Sequence, residues 1–507
     1  MVTELLTETY VEQIDGVLSC YDRIVLTGSL FPFCYAQGMS GYLRSQKIMI
    51  FDYPEFAQGL RDEIRSNAEG LAQANEIEIE YVRKKNFRKE DRVQAILQER
   101  GNEPGLVHIF TAMEPCTAYK PWHDKKTGQT YLKFDSGKCI HYYFYFIDEQ
   151  LGLCYLRVPT WSPFRLQFYC NGHNWLASQL RQQEIAFEMV DNAFVAIANY
   201  TTANDLAAHF DIEHLHARLD GLARQYCPVA QAMNLSYRWS IMQAEYATDL
   251  VFKRSEDLQS FYPALLETMT HAVKPADIAT FLGRKLHHNY QGESGNRFNR
   301  RILGTRLKHV MGPVSIKMYD KFGIVLRIET TVADVTFFRQ RRTIHHRNGK
   351  DEIAWAPMRK SIYSLAPLQE ALSDANQRYL AFLSAVDLPV GGSQTLNRLT
   401  QTRVENQHSY KGFNFFAEDD ASILRTLLRG EFTISGLSSH ALHTLLPDKS
   451  SGQISRLLKR LRVHGLIRKV GHRYKYYLTE LGRKAATLAL KLRELQAVPA
   501  LAENQSG

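Results

Sequence analysis

The chain of 507 residues exceeds one ordinary domain, and its make-up of 45% apolar and 23% charged residues is that of a folded protein rather than a disordered one. No run approaches the ~18–20 apolar residues of a membrane-spanning helix, and the polar, acidic start MVTELLTETYVEQID is unlike a signal peptide. Seven cysteines with no CxxC pair indicate neither a disulfide framework nor a zinc ribbon, so free thiols and a cytoplasmic location are expected, while the charge of +9 matters for where it sits.

The first 138 residues read as an α/β region. YDRIVLTGSLF predicts a strand, YPEFAQGLRDEIRSNAEGLAQA a helix, EIEIEYV a strand, RKEDRVQAILQERG a helix and GLVHIFTAME a strand. Strands alternating with helices imply a partly parallel sheet. TGSLF lacks the glycine spacing of a phosphate-binding loop, so no nucleotide is expected; nor is a haem cofactor expected.

Residues 139–387 read as a mixed α+β body. CIHYYFYFIDEQLGLCYLRVPTWSPFRLQFYCNG predicts a hairpin and a third strand. A strand apolar on both faces, as in HYYFYFI, is expected between two layers rather than on a base-stacking surface. Asp22, Arg23, Glu114, Trp161, Asn171 and His173 are polar or aromatic candidates that spacing does not single out. Glu213-His214-Leu215-His216 sits in helical periodicity, which points its two histidines ~200° apart and argues against one shared metal. YRWSIMQAEYATDLVF is expected as a helix carrying Arg238, Gln243, Glu245 and Asp249, with the two acids at i, i+4.

A basic zone, GNRFNRRILGTRLKH, then leads into VSIKMYDK and IVLRIETTV, predicted as antiparallel strands turning at Gly323. Alternation puts Lys317, Tyr319 and Lys321 on one face, and Arg327 with Glu329 on the matching face. Tyr319 near cations and a carboxylate has the ingredients of a nucleophile on a phosphodiester, with Glu329 as metal or base partner. Lys317, Lys321 and Arg327 would neutralise phosphate, Asp320 is a second metal candidate, and Mg²⁺ or Mn²⁺ is the cofactor such chemistry would use. Arg300, Arg301, Lys308 and Lys317 are expected to contact DNA. RQRRTIHHR (339–347) is expected as a basic loop, and 388–418 as a polar linker.

From 419 to 495 the pattern becomes helix, helix, basic helix, basic hairpin, helix, before a disordered tail at 496–507. In SGQISRLLKRLRVHG, Ile454, Leu457, Leu458 and Leu461 form the apolar stripe. Gln453, Ser455, Arg456, Lys459, Arg460 and Arg462 lie opposite, and the hairpin adds Arg473 and Lys475. Residues 451–479 hold eight Lys/Arg and no Asp/Glu, the footprint of a nucleic-acid surface.

The order of these last elements, with GLIRKVGHRYKYYLTELGRKA, resembles the winged helix-turn-helix domain of MarR-type regulators. That resemblance implies a third helix in the major groove and a wing on the backbone. YDK…LRIE resembles a strand pair of rolling-circle replication initiators, and the stretch is also similar to uncharacterised bacterial proteins that carry it before a winged helix. The expectation is an α+β, multi-domain bacterial protein that binds DNA in the manner of a mobile-element or replication factor, with metal-dependent strand cleavage. The alternatives are a non-enzymatic winged-helix transcription regulator or architectural factor, and an RNA-binding factor.

Overall fold

The computed structural model describes residues 6–84, 86–285, 294–301, 304–346, 349, 351–385, 389–429, 432, 436–469 and 475–502; for 9, 271, 294–301, 304–305, 385, 389–394, 496, 500 and 502 the backbone alone is described. The chain is mixed α/β and divides into two units, 1–386 and 387–507.

The first unit is organised by one eleven-stranded sheet. Its strands are β1 (Ile14–Ser29), β2 (Ile79–Tyr81), β3 (Gly105–His123), β4 (Thr130–Asp148), β5 (Gly152–Pro159) and β6 (Leu166–Cys170), then, after a separate hairpin of β7 (Phe187–Val190) and β8 (Ala193–Ile197), β9 (Arg238–Phe252), β10 (Ser294–Arg301), β11 (Gly304–Met311), β12 (Val314–Lys321) and β13 (Val325–Val332). Their order is β10-β11-β12-β13-β9-β1-β6-β5-β4-β3-β2. Among the described residues, only β2 and β3 pair in parallel. The alternation of strands and helices before residue 105 thus yields one parallel pair at the sheet edge.

Both faces of the sheet are covered in part, which explains its apolar strands. On β4, Tyr143 and Tyr145 join the cluster built on Val93 and Leu97 of helix Lys89–Arg100, while Phe144 and Phe146 stack on Tyr226 of helix Ile212–Tyr226. HYYFYFI is therefore core on both sides. At the other end, helix Leu365–Ala385 buries Asn376, which bonds Thr330, Thr248 and the carbonyls of Tyr246 and Ile328.

Several sequence expectations change. Residues 238–252 form strand β9, not a helix, because Trp239, Ile241, Tyr246, Thr248 and Leu250 suit a buried strand and a bulge at Met242 breaks the alternation. Position 139 is no boundary, since β4 runs through it. RQRRTIH is strand β14 (Arg339–His345), paired with β15 (Asp351–Pro357) rather than looped. The 388–418 segment contains helix Pro389–Thr400 and the hairpin of β16 (Arg403–Glu405) and β17 (His408–Tyr410), all in the second unit. Val498–Ala502 is helical, and 503–507 lies outside the described residues.

The second unit packs helices Glu418–Leu427, Ser439–Leu445, Ser451–Val463 and Glu480–Leu492 around Leu424, Leu442, Ile454, Leu461 and Ala486. Strands β18 (Ile467–Lys469) and β19 (Tyr476–Leu478) pair antiparallel, and Leu437 bridges to Tyr476. Gly482 lets helix Glu480–Leu492 close on the chain, since a Cβ there would meet the Leu466 carbonyl at 2.1 Å.

Candidate functional site

A cluster of buried polar side chains in the first unit lies where β6 stops. β6 pairs β1 only at residues 24–28, so the N-terminal half of β1 needs other partners there. Helix Tyr200–Ala208 supplies one: Asn204 accepts from the Ser19 N–H and donates to the Val17 carbonyl. Helix Gly172–Gln182 begins beside Tyr21, and a Cβ at Gly172 would lie 2.2 Å from the Tyr21 carbonyl, so only glycine fits. A bulge between Tyr21 and Arg23 leaves Asp22 without a ladder partner.

Arg327 is wholly buried at this point. The ladder sets it opposite Asp249 on β9 and Tyr319 on β12. Its Nε and Nη2 donate to Asp249 at 2.7 and 2.6 Å, and Nη1 to Asp22 at 3.3 Å. Nη2 also faces the Asn192 carbonyl and His173 Nε2, each at 3.0 Å. Asp22 accepts further from Asn192 at 2.7 Å and Asn171 at 3.3 Å. Burial opposes both carboxylates, but Arg327 outweighs it, holding Asp249 at about 2 and Asp22 lower still. His173 is pulled the other way: burial opposes a charge on the ring, while its acidic neighbours drive its pKa up. A guanidinium nitrogen has no free lone pair, so the Arg327 contact is a hydrogen bond only while Nε2 is bare and the ring proton sits on Nδ1; charging the ring, which the acids favour, gives that bond up. Nδ1 lies 3.2 Å from Asp22, off its hydrogen-bonding direction.

One rung along the same face, two acids share one ammonium. Glu329 accepts from Lys317, from the Tyr319 hydroxyl at 2.6 Å and from Thr331 at 3.3 Å. Glu245 accepts from Gln243 at 3.0 Å and Thr331 at 3.3 Å, with Lys317 at 3.5 Å. Burial and the Glu329 charge raise the Glu245 pKa, whereas Lys317 overcomes burial to lower that of Glu329. One oxygen each of Asp22, Glu245 and Glu329 lie within 4.8 Å of one another, a buried acidic triad placed to hold a divalent metal.

Of the residues singled out from sequence, Lys317, Tyr319, Lys321, Arg327 and Glu329 do come together. Tyr319 donates to Glu329, and burial and that charge raise its pKa well above the ordinary value, so the phenol keeps its proton. Arg327 is fully engaged by protein groups. Burial and Arg327 push Lys321 down to about 8. Asp320 lies on the other face of β12, by alternation, and accepts from the Gly323 N–H in the turn. Lys308 stands opposite Lys317 in the ladder. Arg300 and Arg301 lie on β10 with side chains outside the described residues. Asp22, Glu245, Asp249, His173 and Asn192 complete the constellation, which draws on five separate stretches of chain.

In the second unit, Ser450 caps helix Ser451–Val463 in a reciprocal box with Gln453. Arg460 turns inward: it forks onto Asp420 at 2.8 and 2.9 Å, donates to the Lys411 and Gly412 carbonyls and lies over Phe413. Lys459 and Arg462 pair with Glu405. Gln453, Ser455 and Arg456 stay exposed, and Arg456 has no acidic partner among the described residues. Lys475 precedes β19, and Arg473 lies outside the described residues.

No family model, curated protein or solved structure matches the chain. No helix among the described residues is long and apolar enough to cross a membrane.

Proposed function

We propose that this chain is a DNA-binding protein whose second unit works as a winged helix-turn-helix. The observation that carries this reading is the strip Gln453–Ser455–Arg456, left exposed on a rigidly capped helix after Arg460, Lys459 and Arg462 are committed to acids. Helix Ser451–Val463 would enter the major groove, and the basic β18–β19 hairpin would lie against the phosphate backbone. The test is binding of labelled duplex DNA by the full chain and by Arg456→Ala, followed across salt concentrations.

A second reading concerns the first unit, and the acidic triad favours it. With Mg²⁺ or Mn²⁺ held by Asp22, Glu245 and Glu329, the ion would polarise a phosphodiester and its attacking water. A bound metal ion would lower the pKa of that water, whose proton would pass to solvent, and the departing oxygen would take a proton from solvent in turn. The water oxygen would bond to phosphorus as the bridging P–O bond breaks, and Lys317 would stabilise the charge gathering on the phosphate. Water replaces Tyr319 as nucleophile here, since Tyr319 is protonated and spent on Glu329. The matching experiment incubates end-labelled DNA with Mn²⁺ or EDTA beside Glu329→Gln. Metal-dependent cleavage lost in that variant supports the reading, and cleavage equal with EDTA rejects it. This activity belongs with mobile-element and replication proteins; without it the winged-helix regulator remains.

A further inference from the structure

One face of the first-unit sheet continues well beyond the acidic triad. Arg23 pairs with Glu245, and four residues further along β1, ~13 Å at strand rise, Thr27 pairs with Gln167, which pairs in turn with Arg157. Pairing partners share a face, so the triad and a cleft of about 330 Å³ lined by Thr27, Gln167 and Arg157 open on the same side. That cleft is walled by Trp161, Met242 and prolines 115, 159 and 163, with His141 and Arg165 among its polar groups. Burial drops His141 to about 4, so the ring is neutral at pH 7 and able both to donate and to accept. Arg165 is exposed, has no carboxylate partner among the described residues, and reaches only Cys34 Sγ at 3.9 Å.

The same face runs on along β3 and β4. Cys116, which lines the cleft, shares its face by alternation with Lys120 and Trp122, and these stand opposite Lys133 and Tyr131. Trp122 is 44% and Tyr131 36% exposed. The Lys133 ammonium lies 4.9 Å from the Trp122 ring centre. The reverse face of this arm is already occupied: Tyr119 donates to the Phe33 carbonyl and the Leu132 N–H to Ser40. Scattered exposed aromatics need no explanation. Here they are aligned on one strand face, alternate with lysines, and end in a cleft that combines an indole with an unpaired guanidinium.

We propose that this face binds single-stranded nucleic acid. Unpaired bases stack on Trp122 and Tyr131, one base sits against Trp161 in the cleft, and Lys133, Arg165 and Arg23 neutralise the phosphates. Flat aromatic surfaces interleaved with cations suit strands whose base faces are free, and a duplex hides those faces in its own stack. The inference rests on the nucleic-acid reading for its class of ligand, and it supplies the substrate class for the triad, toward which the strand would run.

The experiment measures fluorescence anisotropy of labelled oligodeoxyuridylate, oligouridylate and a duplex of equal length with the full chain, Trp122→Ala, Lys133→Gln and Arg456→Ala. Trp122→Ala should weaken single-strand binding roughly tenfold and leave duplex binding alone, and Lys133→Gln should flatten its salt dependence. Preference between oligouridylate and oligodeoxyuridylate, which share a base, identifies the sugar. Single-strand affinity unchanged in both arm variants, or lost only in Arg456→Ala, overturns the proposal. Duplex binding unchanged in Arg456→Ala would instead sink the second-unit reading and leave this one standing. Unchanged thermal melting of the arm variants confirms that exposed residues were altered without unfolding.

Discussion

Arg327 and Asp249 face each other across β13 and β9 and meet through two parallel hydrogen bonds, with neither side chain more than 1% exposed. This fork locks the two strands at the point where the sheet loses β6, and it is the reason that two buried carboxylates can stay ionised there. Removing the cation strands both Asp22 and Asp249. Arg327→Ala should therefore cost about 3–5 kcal/mol, read as a lower urea midpoint for the transition of the first unit. Arg327→Lys keeps the charge but not the fork and should recover only part of the loss. A midpoint unchanged in Arg327→Ala would show that the network is not what holds these strands.

Two buried histidines set an acid limit. Burial takes His141 and His309 each to about 4. Both are neutral in the fold, while an unfolded chain protonates them below about 6.5. Between pH 6.5 and 4 the unfolded state binds more protons, so stability falls as pH falls through that window, by about 3 kcal/mol per ring at most. His309→Gln should flatten the fall measured by denaturant midpoints at stepped pH. A profile indifferent to that change would contradict the assignment.

Metal at the acidic triad has a readout that needs no activity. Mn²⁺ at ~100 times its dissociation constant should stabilise the first unit by about 2.7 kcal/mol, seen as a higher melting temperature. Glu245→Gln and Glu329→Gln should each abolish the shift, whereas Asp320→Asn, on the other face of β12, should not. A shift that survives both glutamine variants would place the ion elsewhere.

In the second unit, position rather than charge separates two arginines on one helix. Arg460 bonds Asp420 and two carbonyls, so Arg460→Ala should lower stability by about 2 kcal/mol. Exposed Arg456→Ala should stay within ~0.5 kcal/mol of the native chain. Equal melting of the two variants would refute this division.

The elements that follow a clean period were legible in the sequence. Ile454, Leu457, Leu458 and Leu461 form the buried stripe of their helix, and the YDK hairpin sets Tyr319 opposite Arg327, one of the registers that an antiparallel turn about Gly323 allows. β9 was obscured by its bulge at Met242, which lets Glu245 and Asp249 pass for a helical pair although a strand places them on one face. Asp22 was a candidate that spacing could not single out, because its role depends on a bulge and on partners about 150–300 residues away. The run of eight positive charges looked unopposed because Glu405 and Asp420 lie outside it in sequence and against it in space.

DNA recognition by the exposed face of helix Ser451–Val463 is tested most directly by duplex binding of Arg456→Ala against the native chain from 50 to 200 mM salt. Loss of one phosphate or base-edge cation should weaken binding, and for a phosphate contact it should reduce the log–log salt slope by about 1, with melting unchanged. Native-level duplex affinity and slope in Arg456→Ala, or no duplex binding by the native chain at 50 mM salt, would contradict it.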